Sequence, residues 1–303
     1  MSIVTTPEAV PSRLLSIYQT LFKSEGGESR DKMEAWAAPP SLKSGGDEEE
    51  GGSPTTLFSN SLNEAKRIGL VEDVEGLLRL SDEARGDRNE KVDAQSRFRR
   101  YLMRTLFDPA RAEETGQAAF MTALCWFLSN NPLRPLSFSD GPQQKLQADL
   151  GEAWRTPEIN TVHRYQSFVY WARFLGFGVT LGAGDGARNR QVIPDPMRAI
   201  DDALPMIFAN ERSLSADAFL TRLSAIYPVF EGGSARVAYT ALLSTPPDDE
   251  GGQRLSIATS LALRRLANRQ RLKLDAVADA PSRLLNLGAG LERVSHVELQ
   301  IKA

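Results

Sequence analysis

Hydrophobic positions switch from helical to strand spacing across a single glycine in SLNEAKRIGLVEDVEGLLRLS, residues 61–81. Leu62, Ala65 and Ile68 recur at the spacing of one helical face. Gly69 follows, and glycine readily takes the left-handed conformation that ends a helix. Val71, Val74, Leu78 and Leu80 then fit two short strands around a turn at EDVEG. Two helices are predicted upstream. In PSRLLSIYQTLFKSEGG, Leu14, Ile17, Tyr18, Leu21 and Phe22 form an i, i+3, i+4, i+7, i+8 stripe, with Pro11 suited to the first turn and Gly26-Gly27 as the stop. SRDKMEAWAAPP opens on Asp31 and Glu34 at capping-box spacing and stops at Pro39-Pro40. Three helices and a hairpin is the order of a winged helix-turn-helix, with the recognition helix at Ser61 to Ile68.

The same change of period recurs twice. In INTVHRYQSFVYWARFLGFGVTLGAGDGARNRQVIPDP, Phe168, Trp171 and Leu175 share a helical face with Ala172 beside them. LGF takes the place of IGL, GVTL and QVI read as strands joined by GAGDGARNR, and Pro194 and Pro196 end the unit. In LSIATSLALRRLANRQRLKLDAVADAPSRLLNLG, Leu255, Ala258, Ala262 and Leu266 form the apolar face. LKLDAV and the segment Leu284 to Leu287 are expected to make the third wing, and RVSHVELQIKA a final strand. Between the first two units ARGDRNEKVDAQSRFRRYLMRTLF runs into a helix with Phe98, Tyr101, Leu102 and Leu106 on its apolar side. A repeat of about one hundred residues is a repeat of domains, not a solenoid. The expected fold class is therefore mainly α with small β-hairpins (α+β), as tandem winged helix-turn-helix domains. The domains are placed at 1–94, which carries an acidic insert, 95–196 and 197–303.

A chain of 303 residues has room for two or three such domains. Its net charge of −3 argues against a protein that coats DNA by bulk basicity, so any nucleic-acid contact must come from local patches. The one cysteine, Cys125, excludes an intrachain disulfide and suits a cytoplasmic location. Its apolar surroundings, AAFMTALCWFLS, are too short to span a bilayer, so no membrane contact is expected. MSIVTTPEAVPSR lacks the basic and apolar regions of a secretory signal.

Candidate chemistry is sparse. GAGDG lacks the Lys-Ser/Thr pair of a phosphate loop and lies between strands, as a wing turn does. With His163, His296 and Cys125 alone, no zinc set of familiar spacing can be assembled. No spaced carboxylate set resembles a two-metal nuclease site. Neither catalysis nor a cofactor or metal is expected. The nucleic-acid candidates are basic. Arg188 and Arg190 sit at a wing tip that could touch phosphates or enter a minor groove, the alternative being a solvated loop. Arg164 lies beside His163 on the second recognition helix. LRRLANRQR offers Arg264, Arg265, Asn268 and Arg269, residue types suited to base edges and phosphates. The alternative for that helix is a solvated face, or one that pairs with acidic residues of a neighbouring domain. SRFRRYLMR carries a second cluster, Arg97, Arg99, Arg100 and Arg104. The acidic SGGDEEEGGSP reads as a linker and makes the first domain the least suited of the three to DNA.

The opening MSIVTTPEAVPSRLLSIYQTL, the PPSL at Pro39 to Leu42 and the SLNEAKRIGLVE helix resemble the DpdG-like group of bacterial phage-defence accessory proteins, found beside 7-deazaguanine DNA modification and restriction genes. The resemblance is clearest over the first third of the chain. It implies a cytoplasmic bacterial protein that works with other subunits of a defence complex, and it supplies no catalytic residues. Two readings follow. In one, the chain is a non-enzymatic subunit that touches double-stranded DNA directly or with a partner's help. In the other, it is an acidic adaptor whose winged helices bind protein, as in the tandem winged-helix subunits of SMC-type ATPase complexes. The arginine clusters favour the first, the −3 charge and DEEE the second.

Overall fold

Pro11 opens the first helix, where its missing N–H costs nothing. The computed structural model describes residues 2–37, 54–87, 90–182, 190–245 and 252–300. In it α1 (Pro11–Lys23) buries Leu14, Ile17, Tyr18 and Leu21. Strand β1 (Glu28–Ser29) leads into α2 (Arg30–Ala37), and α3 (Pro54–Arg67) into the hairpin β2 (Val71–Val74) and β3 (Leu77–Leu80). β3 lies between β1 and β2, with Leu78 opposite Glu28 and Leu80 opposite Val71, all antiparallel. The hairpin turns on Glu75-Gly76, whose φ angles of 54° and 79° match the twist of its strands. Helices α4 (Asp82–Arg85), α5 (Ala94–Phe107) and α6 (Pro109–Glu114) complete a compact unit, Met1–Gln117. α5 lies past the boundary expected at residue 94, yet its apolar side packs within this unit. The Phe98 and Tyr18 rings are 5.3 Å apart, and the Tyr101 hydroxyl donates to the Ile68 carbonyl at 2.7 Å.

The second compact unit, Ala118–Ala303, contains the same order of elements twice. First come α7 (Ala118–Ser129), β4 (Leu136–Ser137), α8 (Gln143–Leu150), α9 (Val162–Leu175), β5 (Gly178–Leu181) and β6 (Gln191–Pro194). Then follow α10 (Met197–Phe208), β7 (Ser213–Ser215), α11 (Ala216–Ile226), α12 (Ser234–Thr240), α13 (Ile257–Asn268), β8 (Leu272–Asp275), β9 (Arg283–Asn286), β10 (Leu291–Val294) and β11 (His296–Leu299). The sheets run β4-β6-β5 and β7-β11-β8. As in the first unit, the last strand of each set lies in the middle. The second set has two insertions, α12 and the hairpin β9–β10. The two sets share a core, since Phe177 packs edge-on against Tyr227 at 5.5 Å and beside Phe230 at 6.0 Å. The described chain is thus mixed α and β, with many helices and small antiparallel sheets. No helix among the described residues is long and apolar enough to cross a membrane.

One backbone device joins helix to hairpin in all three sets. After α3 the Leu70 amide donates to Ala65 at 2.8 Å and the Gly69 amide to Lys66 at 3.0 Å. After α9 the Phe177 amide donates to Ala172 at 2.8 Å and the Gly176 amide to Arg173 at 3.1 Å. After α13 the Arg271 amide donates to Leu266 at 3.0 Å and the Gln270 amide to Ala267 at 2.9 Å. This is the Schellman cap, and its left-handed residues have φ of 71°, 89° and 57°. The carbonyl of the next residue then accepts from the end of the sheet. Ser81 donates to Leu70 at 3.2 Å, Asp195 to Phe177 at 2.9 Å and Gln300 to Arg271 at 2.9 Å.

The third hairpin differs from the expected one. Leu284 to Leu287 does not pair with LKLDAV. Strand β9 pairs with β10, and β8 pairs with the terminal β11. RVSHVELQ alternates in sequence, but Val294 and Ser295 are both buried, so the alternation slips by one residue there. The Ser295 amide donates to Asp275 at 2.8 Å and its carbonyl accepts from Ala216 at 2.8 Å, which holds the corner where the chain leaves one sheet for the other.

Two outcomes follow from this packing. Gln270 occupies a left-handed position that a side chain disfavours by about 1 kcal/mol. Gln270→Gly is expected to stabilise the second unit by about 0.5–1 kcal/mol, and Gly176→Ala to destabilise it by about 1 kcal/mol, read as opposite shifts of the melting temperature. Cys125 is fully buried, and burial pushes its thiol up to about 12. Because that raised value keeps the group protonated through neutral pH, an aromatic disulfide reagent at a pH of about 8 should modify it only as denaturant unfolds the second unit.

Candidate nucleic-acid interface

Helix α13 is capped by Ser256, whose hydroxyl accepts from the Thr259 amide at 3.3 Å, and it buries Ala258, Ala262, Leu263 and Leu266. The arginines between those positions are turned to carboxylates. Arg264 pairs with Glu292 on β10, and Arg265 with Asp195, which follows β6. Just past the helix, Arg271 Nε donates to Asp201 Oδ1 on α10 at 2.8 Å. Asp195 is nearly buried and also accepts from the Met197 amide at 3.2 Å, so its charge is tied down from two sides. Asn268 and Arg269 are exposed at the helix end, and among the described residues no carboxylate pairs with Arg269. The basic face thus divides into a paired half, Arg264 and Arg265, and an open half, Asn268 and Arg269.

Helix α9 is organised differently. Thr161 caps it, accepting from the Arg164 amide at 3.3 Å. Tyr165, Phe168, Trp171 and Leu175 face the core. His163, Gln166, Tyr170 and Arg173 lie on the opposite side, within about a quarter turn of one line, and only Gln166 is less than exposed. Arg164 is half-buried in the first turn, on the line of Trp171 and Leu175 and not on that stripe. Phe138, just past β4, ties the stripe to the sheet. Its amide donates to the Arg190 carbonyl at 2.9 Å, and its carbonyl accepts from Gln166 Nε2 at 3.4 Å. Its ring meets Tyr170 edge-on at 5.7 Å and lies 5.8 Å from the Arg190 guanidinium. Among the described residues, no carboxylate pairs with Arg164, Arg173 or Arg190. Arg188 lies outside the described residues. The structure therefore brings Arg190 to the same surface as α9 and adds Gln166, Tyr170 and Arg173, none of them singled out from sequence. The available signal was the complete absence of Asp and Glu from VHRYQSFVYWARFL.

Lys66, Arg67, Arg97 and Arg100 of the first unit serve its own fold. Lys66 pairs with Asp73 at 3.0 Å, and Arg67 pairs with Glu64 while donating to the Thr115 carbonyl. In the SRFRRYLMR cluster Arg97 and Arg99 are buried. Arg97 stacks over Phe22 at 5.6 Å and donates to the carbonyls of Val92, Asp87 and Glu90, which shapes the loop before α5. Arg100 pairs with Glu90, and Arg104 is exposed. The acidic run at 47–50 lies outside the described residues.

Among the described residues no cluster of His, Cys, Asp and Glu could hold a metal ion. A 260 Å³ pocket in the second unit is lined by Ser129, Lys145, Asp149 and Tyr239. Asp149 is already engaged, by Trp126 Nε1 at 2.9 Å and by Lys145 at 3.3 Å. Burial pushes the Tyr239 hydroxyl up to about 12, which leaves it inert as a base near neutrality.

No curated protein and no solved structure matches the chain. The DpdG-like family model matches residues 1–280, which takes in the whole first unit and most of the second. The chain belongs to the DpdG-like family.

Proposed function

We propose that the chain is a non-enzymatic, DNA-contacting subunit of a bacterial DNA-defence complex, and that its three helix-and-sheet sets are winged helices in series. The order helix, strand, helix, helix, hairpin, with the last strand central in each sheet, supports the winged-helix reading. Membership of the DpdG-like family supports a place beside 7-deazaguanine modification and restriction genes, and with it further protein subunits as partners in a bacterial cytoplasm. On this reading there are three domains, as expected from sequence, the first extended beyond residue 94 to take in α5, and the chain requires no cofactor.

The observation that carries DNA contact is the surface formed by α9 and the residues leading into β6. Three described arginines, Arg164, Arg173 and Arg190, lie between Ile159 and Pro194, and no carboxylate among the described residues pairs with any of them. A phosphate approaching that surface need displace no resident anion. At α13 it would have to displace Asp195 and Glu292 first. The pairing of Arg264 and Arg265 is the observation that favours the adaptor reading, since arginines already held by carboxylates have less to offer a phosphate.

Fluorescence anisotropy of a labelled duplex across a salt series tests the choice. Removing one phosphate-binding arginine should flatten the log–log salt slope by about one unit. Arg164→Ala with Arg190→Ala is expected to weaken binding and flatten the slope by about two units, and Arg269→Ala by about one. Arg264→Ala should leave the slope near that of the wild type. Purified protein should neither hydrolyse nucleotides nor nick DNA. A chain that binds no duplex at low salt, yet co-purifies with its partner until Arg265 is replaced, is an adaptor.

A further inference from the structure

Tyr170 stands out on the α9 surface because its ring is both exposed and held. It is 36% exposed, although Trp171 beside it and Phe168 two residues before are fully buried. Its edge contact with Phe138 fixes the ring from below, and Phe138 is itself buried at 3% exposure. A flexible exposed tyrosine gives up rotamer freedom when it binds; a ring seated on a buried ring has given it up beforehand. Two arginines flank this platform. Arg190 shares Phe138 as its neighbour, and Arg173 follows Tyr170 by less than one turn of α9. Gln166 uses one amide hydrogen on the Phe138 carbonyl and keeps its other hydrogen and its oxygen for a ligand.

We infer that this cluster, Gln166, Tyr170, Arg173 and Arg190 around Phe138, binds unpaired nucleotides of single-stranded DNA. The inference deepens the DNA-contacting reading above and rests on it. The chemistry selects an unpaired base. A duplex presents phosphates and base edges to a protein surface, and arginine and glutamine suffice for those. An exposed aromatic face has its best partner in the face of a base, which a duplex keeps stacked on its neighbours. Stacking on a fixed ring with arginines on the adjacent backbone is the usual construction of a single-strand site, and it tolerates any base because every base has such a face. The absence of carboxylates from α9 leaves nothing on that helix to repel the backbone.

The test measures binding of the full-length protein to three labelled DNAs of about 20 nucleotides in one buffer: oligothymidylate, a duplex, and an abasic strand with the same phosphates and no bases. Wild type should bind oligothymidylate several-fold more tightly than the abasic strand. Tyr170→Leu keeps an apolar contact with Phe138 but removes the aromatic face. It should weaken oligothymidylate binding at least about fivefold, and leave both the duplex and the abasic strand within about twofold. Tyr170→Phe should bind as wild type does. Equal weakening on duplex and oligothymidylate, or no weakening on either, overturns the single-strand site while the DNA-contacting reading stands. A wild-type preference for the abasic strand, or none between the two, overturns it without recourse to any variant. Failure of wild type to bind any of the three DNAs at low salt removes both readings together.

Discussion

The bond pair that closes each helix at a left-handed residue is the constraint on which each helix-and-hairpin set is built. A helix ends with carbonyls that need donors, and one residue turned to positive φ supplies two amides for them. In this chain the turned residue does a second job. It aims the next carbonyl at the residue that follows the returning strand, where Ser81, Asp195 or Gln300 donates to it. Both ends of the hairpin are thereby fixed to the same helix end. The base of each hairpin is thereby held against its helix end, while Arg190, at the turn end of β6, shares a neighbour with Tyr170 in the middle of α9 because Phe138, just past β4, donates its amide to the Arg190 carbonyl.

The third set tolerates a poorer cap because more of its chain is tied in elsewhere. Gln270 takes the position held by glycine in the other two. Its central strand arrives from the C-terminal end of the described chain and pairs on both sides, with β7 and β8, over three and four residue pairs. The Leu299 amide adds a bond to the Arg212 carbonyl at 2.8 Å. Arg265 and Arg271 reach back to Asp195 and Asp201, across the joint between the two sets of the second unit. The helix with the densest arginine cluster among the three recognition positions is in this way the one most bound to its own protein.

Local order was legible in the sequence where a local rule dictates it. Leu14, Ile17, Tyr18 and Leu21 announce α1 by spacing alone, and Gly69 and Gly176 announce the stops of α3 and α9. What was not legible is partnership over distance. β9 is a good strand beside any strand, and nothing in RLLN says that β10 rather than β8 will take it. α5 carries an apolar stripe that fits any core, and only Tyr18 and Ile68 decide which. Among the site residues, Arg264 and Arg265 are spoken for by acids 28 and 70 residues away. Tyr170 passed as one more aromatic of a buried helix, since its fixed position depends on a phenylalanine 32 residues upstream.

Net charge is the wrong measure for a chain of this kind, and the reason is screening. At physiological salt a charge is felt over about 8 Å, so the sum of −3 over 303 residues does not describe what a phosphate meets at any one surface. The carboxylates within reach of each arginine do. At α13 they are present at hydrogen-bond distance, and a phosphate gains only the difference between two anions for one cation. No carboxylate among the described residues is paired with Arg164, Arg173 or Arg190, and there the same guanidinium chemistry offers a phosphate its full attraction. Arg264 and Arg265 on α13 thus stand differently toward an anionic ligand from the arginines of the α9 surface. The difference lies wholly in where the fold places Asp195 and Glu292.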